Sequence, residues 1–172
     1  VLPVDVSYEK LSKRSFIHDD VLLPGLIREE VDIVICIDAS GSISDEEYAM
    51  FVGEAENIVR NFTNIKARFI VFDAEVQKVL EGASKQEVLE AIRKLKARRG
   101  YGGTVFSEAF RYINKKYADA KAIIFFTDGY PYEEDWGYSV WKETSIPIIF
   151  VITDKKKIPP FGVYIHFSSP TS

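Results

Sequence analysis

Apolar positions along the chain follow two alternating rhythms. VDIVICID, residues 31–38, is nearly all apolar and β-branched, which predicts a strand buried on both faces. At Ser44 the period changes. Tyr48, Phe51, Val52, Ala55, Ile58, Val59 and Phe62 recur at helical intervals, and Ser44 with Glu47 has capping-box spacing. That helix is expected to stop between Asn61 and Asn64. ARFIVFD and EVQKVLEG then read as two strands joined in a tight hairpin at Asp73-Ala74. Val88, Leu89, Ile92 and Leu95 mark a second helix, closed by the basic, glycine-rich RRGYGG, and Phe106, Ala109, Phe110 and Ile113 mark a third. AKAIIFFTDG, IPIIFVIT and GVYIHF supply three more apolar strands.

Strands alternating with helices predict an α/β sandwich with a mostly parallel central sheet, the hairpin adding one antiparallel edge strand. Residues 1–30 keep no clean period. They are expected to form an N-terminal arm, with a short strand or helix and a turn at Pro24-Gly25, packing on a domain that spans 31–172. The aromatic and acidic YPYEEDWGYSVWKE is short for a well-formed helix.

Composition narrows the function classes. A chain of 172 residues, 47% hydrophobic and 28% charged, can bury a sizeable core as one domain. A formal net charge of -4 argues against nucleic-acid and membrane-surface binding, both of which need a basic face. No apolar run approaches the roughly 18 residues of a membrane span. The opening VLPVDVSYEK is neither a signal peptide nor a Met start, and reads as a mature chain or an excised piece. Cys36 is the only cysteine, which excludes an intrachain disulfide and favours a cytoplasmic setting. Within its apolar strand it reads as a small buried hydrophobe, with no adjacent cation to activate the thiol.

In a parallel sheet, ligands bind beyond the carboxyl ends of the strands. One strand ends at Asp38 and a later one at Thr127-Asp128-Gly129, while Gly102-Gly103-Thr104 leads into the third helix. If both strands are central, the three loops meet and gather Asp38, Ser40, Ser42, Thr104 and Asp128. The set is all oxygen, so zinc and copper are poor guesses. Two adjacent carboxylates need a proton or a cation between them, and Mg²⁺, with Mn²⁺ second, suits such donors. Alternate spacing turns Ser40 and Ser42 to one side of the loop, with Gly41 permitting the bend. Taken alone, Asp38, Ser40 and Ser42 equally suit a helix cap.

Asp38-Ala39-Ser40-Gly41-Ser42 resembles the Asp-x-Ser-x-Ser signature of von Willebrand factor A (VWA) domains, which carry a metal-ion-dependent adhesion site. Thr104 after Gly102-Gly103 resembles its second loop, and Asp128 its third. LLPGLIREE, DASGSISDEE, FDAEVQ, GGT, FFTDGY and PFG are similar to one branch, the VWA-like domain closing predicted metal-dependent peptidases. The resemblance implies a three-layer, Rossmann-like α/β/α fold. It also implies a non-enzymatic module that binds a partner's Asp or Glu through Mg²⁺ held by those five residues. Partners of that kind include MoxR-type AAA+ ATPases. Members of the branch carry an HExxH peptidase region, and this chain, with only His18 and His166, has no such motif. Either the peptidase part lies outside this sequence or the protein never had it, and an accessory domain of a metallopeptidase lacking its catalytic half is an alternative reading.

Other readings compete. A phosphoryl-transfer hydrolase of the haloacid-dehalogenase sort also sets Asp beside Mg²⁺, but needs a second carboxylate where Ser40 stands. A serine hydrolase lacks its G-x-S-x-G elbow, and RRGYGGTV lacks the Lys-Ser/Thr pair of a P-loop. A structural domain with an empty site is the remaining class. Asp73 ends a strand, which could set it near the same edge of the sheet, and reads first as a hairpin turn residue; Asp45, Glu46 and Glu47 read as ordinary first-turn acids. Arg98 and Arg99 read as a solvated helix end, and both histidines as structural or exposed. Tyr130 and Tyr132 are expected at a partner-contacting rim, with Trp136 and Trp141 either there or over the core. Glu133, Glu134 or Asp135 is a candidate to block the site in the free protein.

Overall fold

Strands buried on both faces form the centre of the molecule. The computed structural model describes Val4, Asp5 and residues 31–167. In chain order the elements are β1 (Val4–Asp5), β2 (Val31–Asp38), α1 (Asp45–Arg60), β3 (Ile65–Phe72), β4 (Val76–Gly82) and α2 (Lys85–Leu95). They continue with α3 (Ser107–Lys116), β5 (Ala122–Thr127), the single-turn α4 (Tyr138–Trp141), β6 (Ile148–Ile152) and β7 (Val163–His166). The sheet runs β1-β7-β6-β5-β2-β3-β4, and every pairing is parallel except the β3–β4 hairpin at one edge. This is the α/β sandwich with one antiparallel edge strand that the apolar pattern predicts. Of the expected arm, only Val4 and Asp5 are described, paired with Val163 and Tyr164. The Pro24-Gly25 turn, His18 and LLPGLIREE lie outside the described residues.

Alternation along the strands feeds two cores. Ile33, Ile35 and Ile37 of β2 face α1 and α2, packing with Phe51, Ala55, Val59, Val88 and Ile92. Val34 and Cys36 face the other way, into an aromatic layer with Phe106, Phe110, Phe125 and Phe150. Cys36 is fully buried there, and burial pushes its thiol pKa up, in keeping with an inert packing role. Trp136 and Trp141 also belong to this second core: Trp136 packs edge-on to Phe106 and Phe150, and Trp141 donates to the Ile146 carbonyl at 2.8 Å. They are core residues rather than rim.

The helix ends that flank the site are capped by side chains. Ser44 and Glu47 form the reciprocal capping box of α1, and the helix closes at Arg60 with Asn61 as its cap. α3 has no capping side chain of its own, since Phe106 occupies the position. Glu133 supplies the acceptors instead, taking the Phe106 and Ser107 amides at 2.6 and 3.0 Å.

Candidate metal centre

β2 and β5 are neighbours where the strand order reverses. From β2 the chain turns through α1 to β3 on one side, and it later returns to β5 on the other. A crevice opens at the carboxyl ends of two such strands. Asp38 ends β2 and Thr127-Asp128 ends β5, so the sheet itself sets the two carboxylates side by side.

Hydrogen bonds fix Asp38. The Ser40 hydroxyl and amide both donate to its Oδ1, at 2.6 and 2.9 Å, and the Thr127 hydroxyl donates to Oδ2 at 2.7 Å. Ser40 Oγ and Ser42 Oγ lie 3.4 Å apart, on one side of the turn as their alternate spacing predicts. Asp38, Ser40, Thr104 and Asp128 are buried, and Ser42 is exposed at the mouth.

The Thr104 loop is seated against this turn by backbone contacts. Tyr101 N donates to the Ala39 carbonyl at 2.7 Å and Gly41 N to the Gly102 carbonyl at 2.8 Å. Gly100 adopts φ +133°, and a Cβ there would fall 2.5 Å from the Ala39 oxygen. A Cβ on Gly41 would come within 2.9 Å of the Tyr101 oxygen, so the two loops approach more closely than side chains allow.

Burial dominates the electrostatics. It pushes the Asp38 carboxyl up to about 6 against the Ser40 and Thr127 donors, and the Asp128 charge adds to the rise. Asp128 is raised as well, first by burial and further by Glu47, while the Ser42 hydroxyl pulls it down. Its Oδ1 is buried with no hydrogen-bond partner. Two buried carboxylates, one with an orphaned oxygen, with the hydroxyls of Ser40 and Thr127 on Asp38 and that of Ser42 on Asp128, fit a hard cation, while Thr104 is buried on the adjoining loop. Among the described residues no three His, Cys, Asp or Glu side chains converge on one point. The carboxylate and hydroxyl oxygens of this site are a donor set whose chemistry suits Mg²⁺ better than zinc or copper.

Several neighbours of the site were not legible as such. Thr127 is a direct partner of Asp38. Asp73 is indeed a turn residue, taking the Glu75 amide at 3.0 Å, but its other oxygen takes the Gly102 amide at 3.0 Å and so anchors the Thr104 loop. Burial pushes the Asp73 carboxyl up, yet donors from Gln77, Glu75 and Gly102 outweigh it and hold the pKa below the usual range. Arg98 is not solvated: its side chain is 6% exposed and donates to Asp45 and to the Ala39 and Ser40 carbonyls at 2.9, 3.1 and 2.9 Å. Its guanidinium lies 3.9 Å from the Tyr101 ring centroid. Arg99 is exposed, as expected. His166 meets the Lys157 carbonyl at 2.7 Å, a structural contact.

Self-blocking by Glu133 or Asp135 does not occur. Glu133 caps α3, and Asp135 holds the Gly137 and Ser139 amides at 2.9 and 3.1 Å. Glu134 is exposed. Tyr130 and Tyr132 both stand at the surface beside the site, Tyr130 bonded to Asp154 and Tyr132 through its amide to the Thr104 carbonyl at 2.9 Å.

Solved structures share this architecture. An aerotolerance-related membrane protein from Bacteroides fragilis aligns with a TM-score of 0.64 at 15% identity, over 81% of this chain and 92% of that one. Proximal thread matrix protein 1 from the mussel byssus, solved with a zinc-occupied MIDAS motif, aligns at 0.61 and 19% identity, over 81% and 42%. Manganese-loaded TRAP protein from Plasmodium vivax aligns at 0.53 and 19% identity, over 73% and 59%. At these identities the likeness is one of fold. No curated protein matches the chain in sequence. Among the described residues no helix is long and apolar enough to cross a membrane. The family match spans residues 33–168, which takes in all five candidate ligands, and the chain belongs to the VWA-like domain family DUF2201.

Proposed function

We propose that this domain is a non-enzymatic protein-interaction module that holds Mg²⁺, or Mn²⁺, through Asp38, Ser40, Ser42, Thr104 and Asp128. An acidic residue of a protein partner would complete the ion's coordination. The observation that carries this reading is the orphaned Oδ1 of Asp128, a buried carboxylate oxygen left without a donor beside a second buried carboxylate. Such an atom is costly unless a cation or a proton meets it. The bound ion supplies a charged, open position to which a carboxylate can attach with defined orientation. Metal bound by two VWA-fold neighbours, manganese in TRAP and zinc in the byssus protein, supports the same reading. Likeness to the domain closing metal-dependent peptidases makes a peptidase region, or a MoxR-type AAA+ ATPase, the first partner to test.

Calorimetric titration of Mg²⁺ into chelator-stripped protein is the direct test. Uptake by the native chain and none by Asp38→Ala or Thr104→Val, each checked for an intact fold by circular dichroism, is the expected result. Equal heats in native and variant proteins would sink the assignment. With Mg²⁺ and an aryl phosphate no turnover is expected, because the position a haloacid-dehalogenase-like enzyme fills with a second carboxylate is Ser40, whose hydroxyl donates to Asp38.

A further inference from the structure

Four large apolar side chains stand exposed among the described residues: Tyr101 at 56%, Tyr130 at 44%, Tyr132 at 74% and Ile158 at 58%. They are not scattered. Tyr101 rises from the loop against Gly41, and the Tyr132 ring covers Gly103, where a Cβ would meet its hydroxyl at 2.6 Å. Tyr130 follows Asp128-Gly129, and Ile158 follows Lys157, whose ammonium sits 4.3 Å from the centre of the Tyr130 ring. Tyr101, Tyr130 and Tyr132 stand on the loops of the candidate metal centre, with Ile158 on the segment that reaches Tyr130 through Lys157, and apolar exposure of this kind marks an interaction face.

Charge on that face is uneven. A cleft of about 560 Å³ beside Asp128 is lined by the acids Glu47, Asp128 and Asp154, by Tyr130 and Thr153, and by Lys155 and Lys156. Lys155, Lys156 and Lys157 are the one run of three cations in the sequence. The acids of the cleft other than Asp128 are already engaged. Glu47 takes the Ser44 amide and, at 2.8 Å, the Thr153 hydroxyl, while Asp154 takes the Tyr130 hydroxyl and the Lys156 amide. Lys157 is occupied by the Tyr130 ring. Lys155 and Lys156 are exposed and form no ion pair among the described residues.

We infer that this cleft is a second recognition subsite. As one acidic side chain of a partner meets the metal centre, Lys155 and Lys156 take another acidic side chain from the same segment. The occupant is an extended acidic stretch of a partner protein with apolar residues that pack on Tyr130, Tyr132 and Ile158. This rests on the metal-centre reading above. On this face Lys155, Lys156 and Lys157 offset the charges of Glu47, Asp128 and Asp154, and the proposed cation would turn the balance positive, as a chain of net charge -4 needs in order to hold an acidic ligand.

Fluorescence anisotropy with two labelled peptides tests it, each carrying one phenylalanine, with either one glutamate or three consecutive glutamates. In Mg²⁺ at low ionic strength, the native protein is expected to prefer the triple-glutamate peptide by about fivefold, the scale of an exposed ion pair. Lys155→Glu/Lys156→Glu should abolish that preference while Mg²⁺ uptake by calorimetry persists. Lys115→Glu/Lys116→Glu, exposed at the end of α3, carries the same change in net charge and should keep the preference. Equal or undetectable binding of the two peptides, or equal loss in both double variants, overturns the inference while leaving the metal site intact. Absence of Mg²⁺ uptake by the native chain overturns the metal-centre reading and this inference with it.

Discussion

At position 38 a carboxylate is held where water does not reach, and its proton is correspondingly hard to remove. Its pKa is pushed from 3.8 to about 6, so between those values the folded chain binds a proton that the unfolded chain has released. Stability of the metal-free protein from this group therefore falls as pH rises through that window and levels off above about 6. Mg²⁺ held as proposed would compete with the same proton for the carboxylate, so its affinity should rise across the window. Urea unfolding in chelator at about pH 5 and about pH 7, on native protein and Asp38→Ala, isolates this contribution, because other carboxylates titrate in both. The native chain should lose stability relative to the variant on going to the higher pH, and Mg²⁺ should reverse the loss. A constant difference between the two proteins would mean that Asp38 is not protonated in the window.

Arg98 shows how an element is fastened to a site. It lies just past the end of α2, yet its guanidinium bonds the carbonyls of Ala39 and Ser40 and stacks on Tyr101, tying the β2–α1 turn to the loop that carries Thr104. Arg98→Ala should destabilise the fold by about 2 kcal/mol in urea unfolding and weaken Mg²⁺ binding in calorimetry, since it strips charged hydrogen bonds from two carbonyls. Arg98→Lys should recover only part, lacking the planar fork. None of this was readable along the chain, where Arg98 and Arg99 look alike and Asp45, Ala39 and Ser40 stand more than fifty positions upstream. The strand end could set Asp73 near the same edge, but its hold on the Gly102 amide was not readable, nor was the cap that Glu133 supplies to α3, because each acts on a loop or helix that another element delivers. The regular elements were legible because burial writes a period into them: both-face burial in β2 and β5, one-face burial in α1 to α3. The convergence of Asp38 and Asp128 was also legible, since only the order of strands was needed to bring their ends together.

Across the whole molecule, the sheet is pressed between two cores of different character, aliphatic-rich under α1 and α2 and aromatic under α3. Phe125 joins the second core at its centre, with ring centroids 4.7–5.3 Å from Phe72, Phe106, Phe110 and Phe150. Phe125→Ala should cost about 3–5 kcal/mol in chemical denaturation, because so many rigid neighbours cannot collapse into the space. A loss under about 1 kcal/mol would show a core that relaxes freely. The bond between Thr127 and Asp38 spans 89 positions of chain. During synthesis, which proceeds from the N-terminus, DASGS emerges long before Thr127 and Asp128 exist. Until β5 docks beside β2, the nascent chain displays a lone carboxylate and no binding face. If the face recruits a partner as proposed, folding itself times that event, and fragments ending short of residue 127 should take up no Mg²⁺ in calorimetry.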